Sequence, residues 1–131
     1  MRILFILALL MVGSVLTAYS SVAVYESNSG LIVGWAYNCD SQAEADATAS
    51  QACREHGGRN PKIDLQSDGG WGALASGHDA DGEPVWGYCL GASSREEAIQ
   101  TAIEQVKKAG AVSWKVEDAF LDVPSDAGDD E

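Results

Sequence analysis

Two stretches of this chain repeat each other, 53 residues apart. Gly34, Ser41, Glu44, Ala45, Thr48, Ala49 and Gly57 recur without a gap as Gly87, Ser94, Glu97, Ala98, Thr101, Ala102 and Gly110. An echo of this kind constrains a fold more than any local propensity does. Two copies of one small unit can bury together the faces that neither could bury alone. The kept residue types are those that cap, pack and stop helices.

Both Ser41-x-x-Glu44 and Ser94-x-x-Glu97 are capping boxes, in which a serine oxygen accepts an orphan backbone N–H and the glutamate reaches back. Behind the first box, Ala45, Ala49, Ala52, Cys53 and His56 form a stripe at helical spacing. Behind the second, Ala98, Ala102, Val106 and Ala109 do so, widened by Ile99 and Ile103. Gly57 and Gly110 stand where a helix end favours a left-handed residue.

Strands are expected before each helix. Val22 to Tyr25 and Leu31 to Tyr37 flank a turn ending Asn28-Ser29-Gly30. Trp71 to Ser76 and Val85 to Leu90 flank the loop Gly77 to Pro84. In the returning strands Val33, Trp35 and Tyr37 share one face and match Trp86, Tyr88 and Leu90. The other face carries Ile32, Gly34 and Ala36, matched by Val85, Gly87 and Cys89. Short strands are expected after the helices, at Lys62 to Gln66 and Val112 to Val116.

The fold class expected is therefore α+β. Two tandem strand-strand-helix-strand units, about 21–66 and 71–117, form a mostly antiparallel sheet with two helices packed on one face. Shape complementarity favours seating the alanine stripes on the bulky Trp35/Tyr88 face. The reverse seating, on the Gly34/Gly87 face, would free the aromatics as a binding surface.

The ends of the chain read differently. Arg2, the apolar run Ile3 to Val12 and a small-residue exit at Ala18 or Ser20 describe a signal peptide over residues 1–20. That run falls short of the ~20 apolar residues that span a bilayer. The expectation is a secreted or periplasmic protein with no stable membrane insertion after cleavage. The single domain would cover 21–120, and an acidic disordered tail 121–131.

Charge narrows the partners. Asp and Glu number 20 against eight Lys and Arg, for a net charge of −12. Nucleic acid is disfavoured, because phosphate binding needs clustered Lys and Arg. A cationic protein partner fits, as does plain solubility.

Three cysteines, Cys39, Cys53 and Cys89, would enter an oxidising compartment, where three internal pairings are open. Cys53 stands where the second helix has Val106, as a small buried hydrophobe would, which leaves Cys39 to pair with Cys89. With the helix on the bare sheet face, Cys53–Cys89 becomes the natural bridge instead.

Chemistry-bearing residues are sparse. His78 adjoins Asp79, Asp81 and Glu83, which alternate around a glycine but lack the length and closing glutamate of a calcium loop. Ser76, His78 and Asp79 do not form a triad, since strand neighbours alternate faces and no nucleophile-elbow motif surrounds the serine. No catalytic set, metal site or cofactor is expected. The binding candidates are Trp35, Trp86, Tyr88, His78, Asp79, Asp81 and Glu83.

From about Tyr19 to Glu117 the chain resembles DUF4189, a family of small exported proteins of uncharacterised function. The resemblance lies in Val22-Ala23-Val24-Tyr25, in Gly34-Trp35 followed by Glu44-Ala45-x-x-x-Ala49-x-x-x-Cys53, and in Gly72-Ala73-Leu74-Ala75. It implies further cysteines after the first helix and before the Ala-Leu-Ala segment. Here those regions read Pro61-Lys62-Ile63 and Gly70-Trp71-Gly72, so the family's bridge to Cys53 does not carry over. The resemblance implies no catalytic residues.

The function these observations favour is a non-enzymatic exported binding protein, such as an inhibitor or immunity protein for a basic partner. The rivals are a small carboxylate-based hydrolase of a wall polymer, working at Asp79 to Glu83, and a structural or stress-protective secreted protein. The last predicts a surface without an aromatic patch.

Overall fold

The computed structural model describes residues 17–123. Both capping boxes start helices: α1 covers Gln42–Glu55 and α2 Arg95–Lys108. Ser41 Oγ accepts from Glu44 N at 3.0 Å and Ser94 Oγ from Glu97 N at 3.1 Å. The glutamates reach back to the N–H groups of Asp40 and Ser93, each at 3.0 Å. Both helices stop at glycines with left-handed backbone, Gly57 at φ +107° and Gly110 at +105°.

Six strands complete the two units: β1 Tyr19–Ser27, β2 Gly30–Cys39, β3 Lys62–Ser67, β4 Gly70–His78, β5 Pro84–Ala92 and β6 Ser113–Asp122. The α+β class and the tandem β-β-α-β order are as the sequence predicts. The strands divide, however, between two antiparallel three-stranded sheets, ordered β2-β1-β3 and β5-β4-β6. Each unit folds its hairpin and closing strand into its own sheet, with the first strand central.

The two sheets match down to their irregularities. β1 meets β3 with a register shift that skips Asp64, and β4 meets β6 with one that skips Glu117. Gly34 faces Ala23 on β1 as Gly87 faces Ala75 on β4.

The helices take the bare faces, correcting the seating favoured above. α1 lies on Ala23 and Ala36 through Ala49 and Cys53; α2 lies on Ala73, Ala75 and Ala92 through Ala98, Ala102 and Val106. The glycines explain the choice. A Cβ on Gly34 would sit 2.4 Å from the Ala49 carbonyl oxygen, and one on Gly87 2.1 Å from that of Ala102. Helix backbone thus rests directly on strand backbone, which no larger side chain allows.

The bulky faces turn toward each other. Val22, Val24 and Val33 of the first sheet meet Leu74 and Phe120 of the second, with Trp35, Leu65, Trp86 and Tyr88 around them. The result is four layers, helix, sheet, sheet, helix, with an aliphatic and aromatic core between the sheets.

This layering overturns the disulfide expectation: Cys39, Cys53 and Cys89 are all free thiols. Cys89 packs on the outer face of the second sheet, whereas Cys39 and Cys53 pack on that of the first. Two sheets ~10 Å apart therefore separate Cys89 from both. Cys53 Sγ reaches Ile32 O at 3.5 Å. Ile32 precedes Cys39 by seven strand residues, roughly 23 Å at about 3.3 Å each. A bridge needs Cα atoms within about 7 Å.

Tyr19 and Ser20 belong to β1, paired with Cys39 and Ser67, and β6 continues through a buried Asp122, beyond residue 120. Most of the expected signal peptide, and the tail from residue 124, lie outside the described residues.

Candidate functional site

Where the sheets meet, each unit's returning strand reaches into the other unit. Trp35 on β2 donates its indole N–H to Asp118 Oδ2 on β6 at 2.9 Å. Tyr88 on β5, the residue matching Trp35, donates its hydroxyl to Asp64 Oδ2 on β3 at 2.5 Å. Burial first, and then the Asp64 carboxylate, holds the Tyr88 phenol well above its ordinary range. These bonds tie each aromatic ring to the opposite sheet.

Between them the core opens to the surface. Trp35 and Trp86 face each other with ring centroids 5.8 Å apart and planes tilted by 57°. Together with Leu31, Pro84, His56 and Glu117 they line a groove of about 430 Å³. Leu31, Pro84 and Trp86 also line a neighbouring hollow of about 300 Å³, whose rim carries Glu26 and Glu83. A third hollow, about 460 Å³, opens at Tyr88 beside Asp64, Lys62 and Glu26 and shares Leu31. The first two hollows form an apolar furrow with Glu26, Glu83 and Glu117 along its rim, and the third is bordered by the charged groups of Lys62 and Asp64.

The sequence candidates are only partly brought together. Trp35 and Trp86 meet, Glu83 joins the rim, and Tyr88 lines the adjoining hollow. Asp79 is occupied in its own loop, its Oδ1 accepting the N–H groups of Asp81 and Glu83 at 2.9 Å each. This is how an aspartate organises a turn. His78 lies in a separate hollow of about 190 Å³ with Ser76, Trp114 and Lys115. Of the Asp79–Glu83 loop, Glu83 reaches the tryptophan furrow, whereas Asp79 is turned into the loop and His78 lies apart.

Leu31, His56, Pro84, Glu117 and Asp118 are site residues that sequence reasoning did not select. His56 carries one usable signal, since its counterpart in the second copy is Ala109. Its Nδ1 lies 3.4 Å from Val33 O, at the groove wall.

Burial is the first cause that pushes the thiols of Cys39, Cys53 and Cys89 upward, so they stay protonated at neutral pH and are weak nucleophiles. Asp46 behaves differently. Burial raises it, but hydrogen bonds from Ser21, Gln66 and Gln42 outweigh burial and hold the carboxyl low. The second copy has Ile99 at the matching position.

Among the described residues, no group of three or more His, Cys, Asp or Glu is placed to hold a metal ion, and no helix is long and apolar enough to cross a membrane. No curated protein and no solved structure matches the chain. One family model does, over residues 19–118, a span that contains both repeats, the facing sheets and the groove between them. The chain accordingly belongs to the family described as Domain of unknown function (DUF4189).

Proposed function

We propose that this is an exported, secreted or periplasmic binding protein, with no catalytic role, that recognises a basic protein partner through the furrow at Trp35 and Trp86. The observation that carries the reading is the pairing of an open tryptophan wall with carboxylates Glu26, Glu83 and Glu117 on its rim. Aromatic side chains in partly desolvated pockets supply most binding energy at protein interfaces, and rim charges set approach rate and sign selectivity. A net charge of −12 draws cationic partners to the whole molecule. Neutralising such a partner, as an inhibitor or immunity protein does, is the biological form this chemistry fits.

The test uses an immobilised full chain and a cationic, aromatic-containing peptide as probe. Binding is expected at low salt and weakens as salt screens the rim. Trp86→Ala should weaken it by about 30-fold, the scale of a ~2 kcal/mol hot spot. Trp86 is the better choice than Trp35, whose indole also braces β6. Glu83→Gln should mainly slow association. Equal affinity for Trp86→Ala and the parent protein would place the contact elsewhere and refute the site.

A further inference from the structure

Five large hydrophobic side chains are well exposed among the described residues: Tyr37, Val112, Trp114, Val116 and Leu121. Four of them lie on β6 or immediately before it. β6 is also the edge of its sheet, so one rim of its backbone carries N–H and C=O groups that the sheet does not pair.

The internal repeat supplies a control. β3 holds the same edge position in the first sheet, but has only six residues, and Lys62, Asp64 and Gln66 are the exposed ones. That is how an edge is kept from pairing: short, charged and polar. β6 has ten residues and opens Ser113-Trp114-Lys115-Val116, with Trp114 41% and Val116 39% exposed. The same fold thus protects one copy of this edge and leaves the other apolar.

We infer that β6 is the contact surface for a second copy of this chain, joined by antiparallel pairing about a twofold axis at Trp114. The register shift at Glu117 confines regular pairing to the stretch before it. Within Val112 to Val116 the pattern is self-complementary. Trp114 falls opposite Trp114, and Val112 opposite Val116, so every exposed apolar side chain meets another. A two-fold interface requires this match of one patch to itself.

Charge is compatible with the same place. Two copies at −12 repel each other at long range. Lys107, Lys108 and Lys115 are three of only eight basic residues, and Lys107 Nζ lies 5.2 Å from the Trp114 ring centre. Lys107 beside the ring, together with Lys115, which also pairs with Glu117 at 3.7 Å, offsets part of that repulsion at the start of β6.

Light scattering of the full chain over a concentration series tests this. The mass should double as concentration rises, at lower concentration when salt screens the net charge. Val116→Lys should return the protein to a monomer without changing its thermal melting. With Cys39 and Cys89 replaced by serine, Trp114→Cys should oxidise to a covalent dimer. Opposed Cβ atoms in such a pair lie within disulfide reach. A monomeric mass up to the solubility limit overturns the inference, as does a dimer that Val116→Lys leaves intact. A dimer that Trp114→Cys does not cross-link overturns the Trp114-centred register.

Discussion

Asp122 shows how much one residue can hold. It ends β6 at 3% exposure, and its Oδ1 accepts the backbone N–H of Asn38 at 2.6 Å. Asn38 has left-handed backbone, φ +56°, and its side-chain oxygen accepts Val123 N at 2.8 Å. The pair clips the end of β2 in one unit to the end of β6 in the other. Asp122 Oδ2 has no hydrogen-bond partner among the described residues. Burial therefore raises the carboxyl above its ordinary range, against the opposing pull of the Asn38 N–H and the Ser20 hydroxyl. The native state then binds this proton more tightly than the unfolded chain, whose aspartates titrate near ~3.9. Stability from this group is full below that value and is lost as pH rises through the raised native one. Asp122→Asn should remove the penalty. The gain in urea midpoint over the parent protein should grow between acidic and neutral pH, and a gain that does not change with pH would refute the assignment. Nothing in the sequence singled out Asp122, because an aspartate beside a run of acids reads as part of a tail until the strand that buries it is seen.

At the scale of elements, the capped helices are the most legible part of the fold. Their start signals act through bonds three or four residues away, so both were readable without any tertiary contact. Ser41→Ala and Ser94→Ala should each destabilise by about 1 kcal/mol in chemical denaturation. The two losses should be similar, because each serine accepts one N–H in the same geometry. A negligible loss at one site alone would mean that packing there, and not the cap, fixes the helix start. The strands were placed correctly but drawn short, β6 most of all. Its hydrophobic alternation is broken by the shift at Glu117, and a period-two reading ends where a bulge changes the phase.

For the whole molecule the central fact is that two equivalent units pack their sheets face to face. The prediction at this scale concerns the thiols, which the layers hold apart. A reducing agent should leave the thermal midpoint of the full chain unchanged. A marked fall would reveal a bridge, since removing a native disulfide from a small domain costs about 2–5 kcal/mol. The groove belongs to this scale too. Trp35 and Trp86 are 51 residues apart in sequence and on different sheets, and only the stacking of the sheets brings their rings to 5.8 Å.

The sequence by itself determined the repeat, the helix caps and stops, the two-faced strands and the family. Each of these rests on spacing within a few residues or on direct identity between copies. Only the tertiary structure decided which strand face the helices cover, that there are two sheets, that the thiols stay apart and where the furrow opens. The physical reason lies in Gly34 and Gly87. A face that looks empty in sequence is where backbone can approach backbone most closely, so the helices dock there. The bulky faces are then left to bury each other, and the aromatic site appears at the margin of that contact.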